Sequence, residues 1–415
     1  TITPKRGNGS GLPDLGRPEP DNPFKELILM ARVVSWQITP ANEKQKQLMA
    51  ALESRDVDIV GAFGPSGTGK SYVTCNYALK ALSEGRYSRF VIVRPLVDVS
   101  TGRRYSSIEL GPHFFSVASS YLYDLVGPQG EEHLRKLLDE GRVVLADPSF
   151  LIGRTFDRTL LFLDDAQHLP PETIREAMLR LGGESKLVVA GDPVVQAPRE
   201  NSAALARELL LGEERTFVVD FGIRDIVRPG AKRALKFALE ARVRAREMSE
   251  EERKLMSLAY AHAPDAQLVT VVDLRPLKEK HSITSKNTPD ALLISKEGYL
   301  GRLIGKGGER IQKMEKESGM ALRGVELTLD LKQLVASMHP IGWIRRHLRD
   351  ADIVGTNLEV EVDSENFGAF VGQKGAFIRF LDEAMRSLLG VGLRARSVEA
   401  ERKEEERGRR KAAKK

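Results

Sequence analysis

Residues 64 to 71 read GPSGTGKS, with the apolar run VDIVGAF before them and the helical pattern YVTCNYALKAL after them. This fits G-x-x-x-x-G-K-[ST] in the strand-loop-helix context that the motif requires. Glycines let the backbone curl so that successive N–H groups face inward onto phosphate oxygens, and the following helix adds its positive N-terminal end. Lys70 would reach the β and γ phosphates, and Ser71 would offer its hydroxyl to Mg²⁺. The expected phosphate-binding set is Gly64, Pro65, Ser66, Gly67, Thr68, Gly69, Lys70, Ser71 and Tyr72. A glycine-rich turn with a purely structural role is the competing reading.

Such a loop needs a second metal anchor at the end of a neighbouring strand, and TLLFLDDAQ supplies it. Asp164 is the expected Mg²⁺ partner. Asp165 beside it can orient the attacking water and is the candidate for the hydrolytic role. Either aspartate also reads as a polar strand terminus. A kinase would use the same loop, but no separate acceptor pocket is visible, which favours motor or switch chemistry.

These side chains must be held by a sheet. From about residue 55 to 220, VDIVGAFG, RFVIVRP, GRVVLADP, TLLFLDDAQ, KLVVAGD and ERTFVVDF alternate with helical patterns. Runs apolar on both faces predict an α/β domain with a parallel sheet covered on each side. A proline and a capping candidate ahead of EKQKQLMAALE put its start near residue 36. Residues 1–35 read as a flexible arm, 36–240 as the P-loop domain and 241–280 as a helical linker with a strand pattern near its end. Residues 401–415 read as a basic tail.

Several blocks together resemble the PhoH-like ATPases, relatives of superfamily 1 helicases: GPSGTGKSY, VIVRP, GRTF before LLFLDDAQ, MLRLGGESKLVVAGD and RDIVRP, in that order. The resemblance covers roughly residues 36 to 235. It implies a single RecA-like core that hydrolyses ATP with Mg²⁺, remodels or unwinds RNA and works as a ring. Position by position it gives Gln45 to adenine, Arg94 to nucleic acid, and Asp192 and Gln196 to γ-phosphate sensing. The chain departs from the family in four places: three residues separate Asp192 from Gln196, where the family has two, Asp165 replaces glutamate, His168 replaces asparagine, and the PGD segment expected after LG is absent around Gly111 to Phe115. A cation on the developing charge is expected from a neighbouring core, with Arg154, Arg180 and Arg228 as candidates. Each also reads as a surface salt bridge. The expected catalytic set is Lys70, Asp165 and Arg228, in a homo-oligomer for which a hexameric ring is one arrangement.

Two further glycine loops form an internal repeat. GYLGRLIGKGGERIQKMEK and NFGAFVGQKGAFIRFLDEA align Gly301 with Gly368, Gly305 with Gly372 and Gly308 with Gly375. Neither has a Lys-Ser or Lys-Thr pair, so neither is another nucleotide loop. Both resemble the KH domain, whose G-x-x-G loop brings bare backbone against about four unpaired nucleotides. The resemblance implies two small α+β domains, at 281–335 and 350–400, with RNA contacts at Gly305, Lys306, Gly307, Gly308 and Arg310, and at Gly372, Gln373, Lys374 and Gly375. Residues 330–350 read as a connecting helix or turn, with Trp343 in a core. Single-stranded DNA remains an alternative ligand.

The whole chain has 415 residues, 41% of them apolar and 29% charged, and a formal net charge of +6, which places it among folded proteins of two or three domains. No apolar run approaches a membrane span, and the first residues lack the apolar segment of a secretory signal. One cysteine, Cys75, excludes a disulfide framework and points to a reducing compartment, the cytoplasm. The expected function is an ATP-dependent RNA-binding protein, a helicase or remodelling ATPase. An ATP-gated RNA clamp without unwinding activity and a binding protein with little hydrolysis are the alternatives.

Overall fold

The computed structural model describes residues 38–98, 100–151, 153–195 and 201–399. The expected N-terminal arm, the basic tail and Gln196 lie outside the described residues.

Helix α1 (Glu43–Glu53) starts where Asn42 accepts the backbone N–H of Gln45 with its side chain. Strand β1 (Ile59–Phe63) leads through the glycine loop into α2 (Lys70–Ser83). β2 (Arg89–Val93) is followed by a small hairpin, β3 (Leu96–Val97) and β4 (Arg104–Tyr105), then α3 (Ser107–Leu110). Next comes α4 (His113–Asp139), interrupted at Gly127. The order continues with β5 (Val143–Ala146), β6 (Thr159–Leu163), α5 (Pro171–Leu179), β7 (Lys186–Gly191), α6 (Ser202–Leu210), β8 (Thr216–Asp220) and α7 (Pro229–Arg244).

Six strands form one sheet in the order β5-β2-β6-β7-β1-β8, and every pairing is parallel. Alternate residues of the central strands feed two separate cores. Phe90, Ile92, Phe162, Val188 and Ala190 pack on one face with α2, while Val91, Val93, Leu161, Leu163 and Val189 pack on the other. That is why the strands read as continuous apolar runs. The expected parallel α/β domain is what the sheet shows.

Two smaller units follow with one shared topology. The first has α8 (Glu250–His262), β9 (Leu268–Asp273), α9 (Arg275–Lys280), β10 (Ala291–Lys296), α10 (Leu300–Ile304), α11 (Glu309–Ser318) and β11 (Leu322–Leu327). The second has α12 (Leu331–Met338), β12 (Leu348–Val354), β13 (Asn357–Asp363), α13 (Phe367–Val371), α14 (Ala376–Leu389) and β14 (Gly392–Val398). In each, the first two strands are antiparallel and the last is parallel to the middle one.

These units correct the sequence boundaries. Residues 250–280 are no linker: α8 packs Leu255 and Ala259 against Met314 and Leu303, and β9 is a strand of the first small sheet. The second unit begins near 331, because α12 and the edge strand β12 belong to it. Trp343 is 49% exposed and not in a core. One apolar cluster joins Leu235, Leu239 and Val243 of α7 to Val335, Phe370 and Phe380, so the second unit packs directly on the P-loop domain.

Candidate nucleotide site and twin glycine loops

The P-loop closes around Lys70. Its Nζ donates to the carbonyls of Gly64 at 2.7 Å and Pro65 at 2.9 Å, and to Thr68 Oγ1 at 3.3 Å. Burial lowers the Lys70 pKa, while Asp192, Asp164 and Asp165 oppose the shift. Two loop glycines are demanded by geometry. A Cβ on Gly64, at φ 144°, would lie 2.4 Å from Phe221 O, and one on Gly69, at φ 90°, would lie 2.5 Å from Gln45 Nε2. Gln45 itself braces the loop, donating from Nε2 to Thr68 O at 2.8 Å and accepting from Ala41 N at 2.7 Å. Its amide, expected on adenine, is engaged with the chain's own backbone.

At the end of β6, Ser71 Oγ donates to Asp164 Oδ1 at 2.8 Å. Burial and the neighbouring Asp165 charge raise the Asp164 pKa to about 6, against Arg94 and the Ser71 hydrogen bond. Asp192 Oδ1 accepts from Val194 N and Val195 N, while its buried Oδ2 has no hydrogen-bond partner among the described residues. A hydroxyl, a carboxylate and an orphaned carboxylate oxygen suit a hard divalent cation such as Mg²⁺. Among the described residues no group of three or more His, Cys, Asp or Glu could hold a metal.

Asp165 sits in left-handed backbone at φ 51°. Arg94 grips its Oδ2 with Nε at 2.9 Å and with a second nitrogen at 2.7 Å, and Gln167 Nε2 reaches its Oδ1 at 3.3 Å. The Gln167 Oε1 accepts Asp192 N at 3.0 Å, which ties the two strand ends together. Sequence reasoning missed Gln167; its signal was its place two residues past Asp165 in DDAQ. Arg94, expected at a nucleic-acid surface, also stacks over the Tyr121 ring at 4.2 Å.

A cavity of about 520 Å³ brings together Gln45, Ser66, Gly67, Gly69, Lys70, Ser71, Tyr72, Asp164, Asp165, Asp192 and Arg228. Arg228 was expected to act in trans, yet it lines its own chain's cavity, with a guanidinium nitrogen 3.5 Å from Ser66 Oγ. Val227 N donates to Gly67 O at 3.0 Å and fixes that segment on the P-loop. Arg154 stacks over Phe156 and Arg180 pairs with Glu176; neither lines the cavity.

The other two glycine loops have matching backbones. Gly305 and Gly372 lie at φ 79°, ψ 170° and φ 76°, ψ 170°. Gly307 and Lys374 are both left-handed, as are Gly308 and Gly375. Lys306, Gly307, Gln373 and Lys374 are exposed at the tips. Arg310, expected on RNA, pairs with Asp265 and with the Arg302 carbonyl.

A parallel sheet carrying this loop and the paired aspartates defines a P-loop NTPase domain. Residues 37–240 match the family described as PhoH-like protein. The PhoH-like protein of Bacillus subtilis is 28% identical over 191 residues, which is 44% of this chain and 58% of that protein. The PhoH-like protein of Mycobacterium tuberculosis is 32% identical over 161 residues, 37% and 44% of the two chains. Protein PhoH of Escherichia coli is 27% identical over 197 residues, 46% and 55%. The chain spans about half the length of the curated relatives it matches. Among solved structures, the large terminase from a thermophilic bacteriophage, in complex with ADP, aligns at TM-score 0.32 and 13% identity, over 48% of this chain and 49% of that one. APE1850 aligns at TM-score 0.26 and 18% identity, over 36% of this chain and all of that one. Among the described residues no helix is long and apolar enough to cross a membrane.

Proposed function

We propose that this protein hydrolyses ATP and couples the cycle to holding and moving single-stranded RNA. The observation that carries the reading is one chain that joins a closed P-loop with paired aspartates to twin glycine loops of matching backbone. The backbone N–H groups of residues 64–71 and the Lys70 ammonium would take the β and γ phosphates. Bound Mg²⁺, held by Ser71 and Asp164, would neutralise charge on the phosphate oxygens. Asp165 accepts a proton from the attacking water, while Gln167 holds Asp165 in register with Asp192. Arg228 supplies a cation beside the loop in cis.

The two small units act as tandem KH domains. Their exposed loops, Gly305 to Gly308 and Gly372 to Gly375, clamp the backbone of unpaired nucleotides, with Lys306 and Lys374 on the phosphates. The protein works in the cytoplasm as a homo-oligomer, a hexameric ring being one closed arrangement. A second reading, an RNA clamp whose nucleotide state sets affinity, is favoured by the engagement of both Asp165 oxygens, which implies slow basal turnover.

ATP turnover of the parent and of Lys70→Ala, with and without oligonucleotides that differ only in the 2′-hydroxyl, tests the reading. Equal rates remove the enzyme, and no oligonucleotide affinity at low ionic strength removes the RNA partner. Strand displacement on a tailed duplex separates motor from clamp.

A further inference from the structure

Asp165 is the base in the proposed function, and its carboxylate is already occupied. Two nitrogens of Arg94 converge on Oδ2, and Gln167 donates to Oδ1. Both oxygens are thus engaged by side-chain N–H donors, which compete with an attacking water for the carboxylate. Yet the pair is not sealed in. The Arg94 and Asp165 side chains are 32% and 34% exposed, and the Arg94 guanidinium lies over the Tyr121 ring.

The surroundings show what could draw it away. Arg94 leaves the C-terminal end of β2, the edge at which open parallel sheets take their ligands. The hairpin β3–β4 directly after it carries exposed Arg103 and Arg104, and Arg104 donates to the His168 carbonyl at 3.2 Å, on the turn that follows Asp165. One guanidinium thus grips Asp165 and a second, that of Arg104, lies on the turn after it, while Arg103 pairs with Glu109. A phosphodiester offers a guanidinium a bidentate, fully charged partner that competes directly with that carboxylate.

We propose that Arg94 is a positioning residue that latches Asp165, and that the phosphodiester backbone of a single-stranded nucleic acid opens the latch by taking the guanidinium. The inference rests on the proposed role of Asp165 as base. With Arg94 withdrawn, Asp165 accepts one proton from water as the water oxygen bonds to the γ phosphorus. The bond from that phosphorus to the bridging oxygen breaks, and its electron pair leaves with ADP. Nucleic acid thus raises kcat without any change in the ATP contacts at Lys70 and Ser71.

The test is steady-state ATP turnover of the full chain, with and without a poly-uridine oligonucleotide, for the parent, R94A, R94K and D165N. Removing the latch is expected to raise the RNA-free kcat of R94A on the order of 10-fold, a fraction of the ~10²–10⁴-fold that a positioned general base contributes, with KM for ATP unchanged. Stimulation by the oligonucleotide should then fall below about twofold, because nothing remains to be released. R94K keeps the stem and charge and loses the fork, so its RNA-free rate should lie between parent and R94A. It also serves if R94A fails to fold. An RNA-free rate in R94K at or below the parent's, or undiminished stimulation in R94A, overturns the latch. A parent unaffected by the oligonucleotide does so as well, and leaves the hydrolase reading standing. D165N with the parent's rate removes the base and overturns both.

Discussion

Ser71 and Asp164 stand 2.8 Å apart in a buried corner where a carboxylate is costly to ionise. The Asp164 pKa rises from 3.8 to about 6 in the fold, so between those values the folded chain binds more protons than the unfolded one. Stability of the metal-free protein must then fall as pH rises through that window, by on the order of 1–3 kcal/mol from this group. Asp164→Asn should flatten that slope and stabilise the metal-free chain at pH 7, while Mg²⁺-dependent turnover is lost. Urea unfolding of both chains in EDTA at several pH values checks this, and parallel curves would remove the buried charge from the account. Lys70 makes a second residue-scale case. Its ammonium is held by two carbonyls and Thr68 Oγ1, contacts that phosphate oxygens would replace. Lys70→Ala should cost ~10²–10³-fold in turnover, the usual loss of one charge-stabilising donor at a transition state. A fall of less than about threefold would mean that Lys70 does not reach the reacting phosphate.

At the level of elements, the twin loops differ in one instructive place. Gly307 is left-handed at φ 65°, and the matching position holds Lys374 at φ 49°, which a side chain tolerates at a cost of about 1–2 kcal/mol. Lys374→Gly should therefore keep or raise thermal stability, yet lower the salt dependence of oligonucleotide binding by about 0.7 in log–log slope, one phosphate's worth on a single strand. Lys306→Ala should lower the slope equally without the gain in stability. If titrations across ionic strength give the parent's slope for both, the tips do not touch phosphate. These loops were legible because glycine spacing is a local signal, as was the parallel sheet, whose strands are apolar on both faces. β12 was not legible: LRDADIV mixes charge and apolar residues, and its Asp352 faces a partner 129 positions away. The α8 helix reads as part of a linker in the sequence, because only tertiary packing shows that Leu255 and Ala259 have a core to enter. The same limit hid the pairing of Arg94 with Asp165, which joins the ends of two strands 71 residues apart in the chain.

Across the whole molecule, the segment from Gly222 to Arg228 touches both the nucleotide cavity and the second small unit. Val227 N holds the P-loop carbonyl of Gly67, and Asn42 Nδ2 donates to Asp225 O. On its other side, Asp352 of β12 accepts from Ile223 N at 2.8 Å and from Arg224 N at 3.2 Å, and Arg224 also pairs with Asp350. Gly222 is needed for this approach, since a Cβ there would lie 2.3 Å from Asp352 Oδ2. Burial raises the Asp352 pKa, against the hydrogen bonds from Ile223 and Arg224 and the Arg224 charge. Asp352→Ala leaves the buried Ile223 N–H without its acceptor and should cost about 1–3 kcal/mol. The larger consequence concerns communication. In the parent, an ATP analogue that tightens the P-loop should slow hydrogen exchange in β12 through the Gly222–Arg228 segment, and in Asp352→Ala that slowing should vanish while the P-loop itself stays protected. Asp352→Asn, which keeps one acceptor oxygen, should retain part of it. If the slowing persists undiminished in Asp352→Ala, the apolar seam of Leu235, Leu239 and Phe380 carries the coupling, and this polar contact only adds to stability.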